Sequence, residues 1–400
     1  MLWLSYRGAI TVSQLLSGAK PILIVHKSHQ HADRIPRLLT YLSRTSGADL
    51  ELGAAIYLSR QDPSKSQDFM RQVSGVALRI ADPELHAHVD QMGLAAKRKQ
   101  NPKYLVDPVP ARPDAAWIAD YLARQRDSGA TALLTPTGWL PGANPQIEIK
   151  SAMDWVRATR AAGASEPLLV NLTLPRVWLE TDSHRAILLR EIVDSNEVAW
   201  YIRVLWKPLM PRYGQLRDAA LLRGYQELAS TASGEGKVLI LPNTGFLGWL
   251  ATGWGASGLS AGPGMSELAF AEALHFRAKK GVAQPPAKSR YFESMLLHTV
   301  DLDTHIRLLT EQGYQCCDCP YCMTLQASSP PAGASWSREE ASLHFLVQLA
   351  RHLTRLNVRN PRTAALRDVK AARAFWDGLS VKPIGENAPQ HLEIWGPLLA

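Results

Sequence analysis

Cysteine is scarce in this sequence. There are four in 400 residues, and all lie between Cys316 and Cys322. A chain of this size with no other cysteine has no disulfide framework, so the cytoplasm is the expected compartment. No apolar run reaches eighteen residues, so no membrane-spanning segment is expected. Met1 to Ser17 has one early arginine, Arg7, and no small-residue cleavage site behind a clean apolar stretch, and it does not read as a signal peptide. No internal repeat shows a clear period, which argues against a solenoid. Acidic residues are in the minority: 36 Asp and Glu against 44 Lys and Arg leave a formal charge of +8. That balance favours an anionic partner such as nucleic acid. The local basic runs are Lys97-Arg98-Lys99 with Lys103, and the series Arg351, Arg355, Arg359, Arg362, Arg367, Lys370 and Arg373. A solvated helical face would look the same.

What is present is concentrated. Cys317, Cys319 and Cys322 form C-x-C-x-x-C, and 21 residues separate Cys322 from His344. Thiols this close are poorly placed to form disulfides with one another. With a later histidine they read as soft metal ligands. Three thiolates and one imidazole close a tetrahedral shell, which is the pattern of a structural Zn²⁺ site. An iron–sulfur cluster using Cys316 as fourth thiolate is the rival. His352 competes with His344, which lies nearer the start of its helix. Ser337 and Glu340 read as a capping box opening that helix.

Upstream, short apolar runs alternate with amphipathic ones. Candidate strands are Pro21–Val25, Val76–Ile80, Ala130–Leu134, Pro167–Asn171, Val198–Leu205, Val238–Leu241, Ser257–Ser260 and Tyr291–Leu297. Candidate helices are Asp114–Arg126, Ile147–Ala162, His184–Val193, Gln215–Ala229, Ser266–Lys279 and Leu302–Gln312. Eight strand–helix alternations predict an α/β (β/α)8 TIM barrel over residues 1–312. The zinc knot and C-terminal helices, ending in one over Arg362–Leu379, would occupy 313–400, with 327–335 as a linker. Leu52–Leu58 reads as an extra strand and keeps a doubly wound sheet as the alternative. Barrel chemistry sits where strands end. The polar residues there are His26, Lys27, Asp82, Thr135, Thr137, Asn171, Thr173, Asn243, Thr244, Ser260 and His298.

These residues resemble the tRNA-guanine transglycosylase superfamily. Cys317-Asp318-Cys319-Pro320-Tyr321-Cys322 is similar to its zinc signature, and Leu343-His344-Phe345-Leu346 to its histidine helix. Ala256 to Gly262 is similar to the family's glycine–leucine strand, whose backbone contacts the bound base. Arg290-Tyr291-Phe292 and Asp303 to Gly313 look like the strand and helix that follow. The resemblance spans roughly residues 235 to 355. It implies a TIM barrel that exchanges guanine in tRNA or DNA for a 7-deazaguanine through a carboxylate nucleophile and general acid–base help. It implies Asp82 as the early-strand aspartate that handles the proton, and Gly258, Leu259 and Ser260 toward the substrate, where the strand-end residues Asn171 and Asn243 would join them. It also implies Zn²⁺ on Cys317, Cys319, Cys322 and His344. The chain departs from the pattern at the nucleophile. Gly313-Tyr314-Gln315 runs straight into Cys316, and the nearest carboxylate, Asp318, stands between two thiols. A relative without this chemistry would bind nucleic acid, or serve as the partner subunit of a homo- or hetero-dimer.

Overall fold

The computed structural model describes residues 11–17, 20–27, 33–58, 63–88, 109–206, 215–264, 268–271, 289–326 and 336–400. Its centre is a sheet of eight parallel strands: β1 Ile22–His26, β2 Glu51–Tyr57, β3 Leu78–Asp82, β4 Leu133–Leu134, β5 Leu168–Pro175, β6 Ala199–Leu205, β7 Val238–Leu241 and β8 Gly258–Ala261. The order is β3-β2-β1-β8-β7-β6-β5-β4. Its two ends meet through a parallel bridge between Ile80 and Ala132. Thr131 helps close the seam. Its Oγ1 accepts from Arg79 N at 2.8 Å and donates to the Ala77 carbonyl at 2.6 Å, standing in for ladder bonds. The result is a nearly closed TIM-type barrel, as the alternation predicts, rather than the doubly wound sheet.

Alternate side chains point inward. Ile22, Ile24, Leu78, Ile80, Leu134, Leu169, Tyr201 and Ile240 form one buried cluster, which Leu15 and Leu16 join from the N-terminal segment. The intervening residues, such as Leu23, Val25, Leu172 and Leu259, join the larger core under the helices. Burial on both faces is why these strands read as continuous apolar runs.

Two strand assignments change. Leu52–Leu58, taken as extra, supplies β2, which pairs with β1 and β3. Tyr291–Leu297, taken as the eighth strand, is instead the first arm and turn of a two-stranded antiparallel hairpin, β9 Arg290–Glu293 with β10 His298–Asp301. Its turn, Ser294-Met295-Leu296-Leu297, has no Gly or Pro to mark it, and Leu296 and Leu297 are fully buried. Hydrophobic burial overrode the usual turn chemistry, with Leu297 held at φ 48°.

The helices expected at 114–126, 147–162, 184–193 and 215–229 occur as Ala115–Asp127, Pro145–Ala161, Asp182–Asp194 and Ala219–Gly234. Asp114 caps the first by accepting from Trp117 N at 2.7 Å. The helix expected over Leu302–Gln312 stops at Leu308. The expectations for Ser266–Lys279, apart from 268–271, for Lys97-Arg98-Lys99 with Lys103, and for 327–335 lie outside the described residues. Beyond the hairpin come helices Pro320–Gln326, Arg338–Thr354, Pro361–Gly378 and Leu392–Leu399. They share one hydrophobic core with the helix after β7, Phe246–Gly253. No helix among the described residues is long and apolar enough to cross a membrane.

The C-terminal helix docks through a histidine pair. His298 of β10 and His391, which precedes Leu392–Leu399, have ring centroids 5.2 Å apart and are both buried. Burial first, then nearby Arg290 and Arg217, pushes the His298 imidazole down to about 3, against a bond to the Glu386 carbonyl that pulls it up. His391 is lowered as well, by burial and by His298. The unfolded chain protonates these rings near their ordinary value of 6.5, and folded His298 only near 3. Their contribution to stability is therefore complete above pH 6.5 and is lost as pH falls toward 3. Thermal melts from pH 7.5 to 4 should show the midpoint dropping, with the drop flattened in His298→Gln. An equally steep drop in that variant would remove the pair as its cause.

Candidate functional site

The carboxyl ends of the strands converge on one buried polar network. Arg203, on β6, is its hub. A charged residue in a strand that is otherwise apolar or aromatic must be paired to be buried, and Arg203 is 1% exposed. Its guanidinium makes an ion pair with Asp82, the last residue of β3. Arg203 Nε donates to Asn243 Oδ1 at 2.9 Å, and Nη1 lies 3.2 Å from His86 Nδ1 and 3.4 Å from Thr173 Oγ1. Burial works against its charge. The ion pair with Asp82 outweighs that and raises the guanidinium above its ordinary value. Phe270 lies over Arg203 at 5.4 Å and meets His86 edge-on.

Asn243 extends the network. Its Nδ2 donates to Tyr57 Oη at 2.6 Å, and its backbone N–H to Ser260 Oγ at 3.2 Å. Ser260 Oγ lies 2.8 Å from His26 Nε2, and the His26 ring stacks on Tyr57 at 4.7 Å. Asn243 sits at φ 57° and Glu84, two residues past Asp82, at φ 50°. Left-handed backbone in non-glycine residues costs about 1 kcal/mol or more and gathers at functional sites. Asp82 also accepts from Glu84 N at 2.8 Å, so it is both a local turn acceptor and an ion-pair partner. Asn171 Oδ1 on β5 is buried in this group with no partner, and the Tyr201 hydroxyl on β6 lies beside Ser260 and Arg203. Burial and the charge of Asp82 raise the Tyr201 phenol well above its ordinary value, so it is a neutral O–H. Lys27, after β1, is lowered by burial and donates to the Lys65 carbonyl at 3.2 Å.

Of the residues expected at the mouth, Asp82, Asn171, Asn243, Ser260, His26 and Thr173 belong to this group. Gly258 and Leu259 are placed elsewhere. Gly258 starts β8 at the opposite, amino-terminal end, where an added Cβ would lie 2.4 Å from the Ile22 carbonyl oxygen of β1. Leu259 faces outward, with its Cβ 2.5 Å from where one on Gly248 would stand. His298 is on the hairpin, outside the barrel. Gly258→Ala should therefore cost about 1–3 kcal/mol as overpacking, read by urea denaturation. A stability equal to wild type would mean that β1 and β8 have room to part.

The second site is the cysteine cluster. Cys317, Cys319, Cys322 and His344 bring three Sγ atoms and Nδ1 within 4.8 Å of one another. The Nδ1 to Sγ distances are 3.8, 3.4 and 3.1 Å. Zinc bonds of about 2.3 Å to sulfur and about 2.0 Å to nitrogen set tetrahedral S···N edges of roughly 3.5 Å. The group can hold a metal ion and suits zinc. Pro320 opens a short helix, so that Cys319 and Cys322, three residues apart, face the same centre. His344 Nε2 donates to the Phe292 carbonyl of β9 at 2.9 Å, which leaves Nδ1 bare toward the thiols. Gln348 Nε2 donates to Cys317 Sγ at 2.8 Å, and Tyr291 Oη lies 3.3 Å from Cys322 Sγ. Cys316 is exposed and outside the group, and His352 bonds Ser294 Oγ at 2.8 Å instead. Asp318 is exposed and ion-paired with Arg351 at 2.7 Å.

The basic series is largely paired. Arg355 and Arg367 each reach Asp368 at 3.7 Å, Arg373 meets Asp377 and Glu393 at 3.1 Å, and Arg362 bonds the Leu399 carbonyl at 2.8 Å.

No protein-family model matches the chain, and no curated protein does. Among solved structures the chain is similar to a deoxyribose phosphate aldolase from Aeropyrum pernix. The identity is 14%, with 60% of this chain and 97% of that one covered, and the TM-score is 0.31. At that level nothing of the aldolase's activity transfers.

Proposed function

We propose that the barrel mouth is a nucleobase-exchange site of the transglycosylase type, replacing guanine in tRNA or DNA with a 7-deazaguanine, and that Zn²⁺ braces the C-terminal helices without taking part in the chemistry. The observation that carries the reading is the buried group around Asp82 and Arg203, where Asn171 Oδ1 lacks a partner. An unsatisfied buried polar atom costs about 1–3 kcal/mol. A ligand with complementary donors and acceptors, such as the amide edge of a purine, recovers that cost and is selected by it. Asp82 supplies negative charge to an oxocarbenium-like sugar carbon, and Arg203 fixes the direction of its carboxylate. The Cys3His cluster is closed by four protein donors, the form of a structural site.

One observation favours a second reading, a relative that binds nucleic acid without exchange. Among the described residues no strand from β4 to β8 ends in a carboxylate opposite Asp82, and both Asp82 oxygens are already engaged. Release of labelled guanine from tRNA and duplex DNA, with and without a 7-deazaguanine, separates the two. Under the exchange reading Asp82→Asn loses at least about 10³-fold in rate and keeps its salt-sensitive nucleic-acid affinity, since phosphate contacts position the polymer. Binding with no exchange by the wild type selects the second reading. Absence of binding to either nucleic acid at low salt removes both.

A further inference from the structure

Base exchange moves a proton twice, onto the leaving base and off the incoming one, and Asp82 is committed to Arg203. Resting on the exchange reading above, we infer that Ser260 and His26 form the proton relay of this site. Ser260 Oγ accepts the Asn243 N–H at 3.2 Å and lies 2.8 Å from His26 Nε2. With the Asn243 N–H on the oxygen, Oγ–H donates to Nε2 when His26 is neutral; when Nε2 carries a proton it donates to Oγ, and the serine proton turns toward the base. This is the pairing of a hydroxyl with an imidazole base. Both residues are fully buried, which shields the proton from bulk water.

Asn243 ties this pair to the carboxylate. Its side chain accepts from Arg203 Nε and donates to Tyr57 Oη, on which His26 stacks, while its backbone bonds Ser260. The groups packed on the relay are Tyr57 from β2, the Tyr201 hydroxyl from β6 beside Ser260, and Asn243 after β7, with Lys27 following His26 in the chain. The nearest opposite charges joined to it through Asn243 are those of Arg203 and Asp82.

In the first half-reaction the bond from C1′ to the guanine nitrogen breaks, and its electron pair leaves with the base. With no carboxylate at the family's nucleophile position, Asp82 takes that part: Oδ1 leaves the Glu84 N–H and bonds C1′ while Oδ2 stays on Arg203. The base takes the Ser260 proton, which protonated His26 replaces. In the second half the incoming base passes its N–H proton through Ser260 to His26. Its nitrogen bonds C1′ as the bond to Asp82 breaks. The proton count closes, and no further reactant is needed.

The test is the exchange assay across pH 5 to 9 with His26→Gln, Ser260→Ala and Ser260→Thr, each checked for its melting midpoint. Glutamine keeps an amide where the ring was and holds no transferable proton. The expected result is a fall in kcat of about 10²-fold in His26→Gln and Ser260→Ala, with KM for the base within threefold. The histidine limb of the pH profile should vanish, and Ser260→Thr should recover most of the rate. A His26→Gln rate within threefold of wild type overturns the relay. So does a lower rate on an unchanged pH profile, which marks a packing role. Wild type that exchanges while His26 is dispensable sinks the relay alone; wild type that never exchanges sinks the reading beneath it as well.

Discussion

Cys319→Ser is expected to abolish metal binding and unfold the C-terminal helices. Cys319 is fully buried, and its Sγ stands 3.4 Å from His344 Nδ1. Binding of a structural zinc is itself folding free energy, on the order of 10 kcal/mol, which exceeds the stability of many whole domains. Wild type should carry about one zinc per chain by elemental analysis, and the serine variant close to none. Limited proteolysis should then cut within residues 313–400. Cys316→Ser is the control and should change neither result, because Cys316 is exposed and outside the donor group. Wild type with no zinc, or with a brown iron chromophore, contradicts the assignment.

Arg203→Met should be the most damaging single change in the barrel. It leaves Asp82 charged, fully buried and without its cation. It also strands Asn243 Oδ1, which accepts from Arg203 Nε. Removing one partner of a buried pair costs about 3–5 kcal/mol. Asp82→Asn combined with Arg203→Met should be more stable than Arg203→Met alone, since the uncompensated charge is gone. Urea denaturation of the four species forms a double-mutant cycle. Additive losses would mean that the two side chains do not meet as described.

Much of this was legible in the sequence, and the misses have physical causes. Cys317, Cys319, Cys322 and His344 were readable because thiols and imidazole at that spacing have few structural uses, and Ser337 with Glu340 marked the helix start as a capping box. Parallel strands announced themselves as apolar runs, yet their membership did not. Leu52–Leu58 looked supernumerary only because Tyr291–Leu297 counts as a strand by its letters, and that stretch hides a turn in which three of four residues are apolar. Gly258 illustrates a different limit. A glycine needed for close strand approach and one needed for a ligand have the same letter, and only the contact with Ile22 separates them. Arg203 was missed although a signal existed: it is the lone charge inside β6, in step with inward-facing Tyr201. Its partners, 121 residues away at Asp82 and 40 at Asn243, are a matter of barrel closure that no local pattern carries.

The most direct measurement on the central claim is mass spectrometry of the protein trapped with a guanine-containing tRNA or DNA and no incoming base. Base exchange at the mouth through Asp82 predicts a nucleic-acid adduct on the peptide containing Asp82, absent in Asp82→Asn and lost from wild type when a 7-deazaguanine is added. An adduct on any other peptide, or exchange proceeding with none on Asp82, contradicts it.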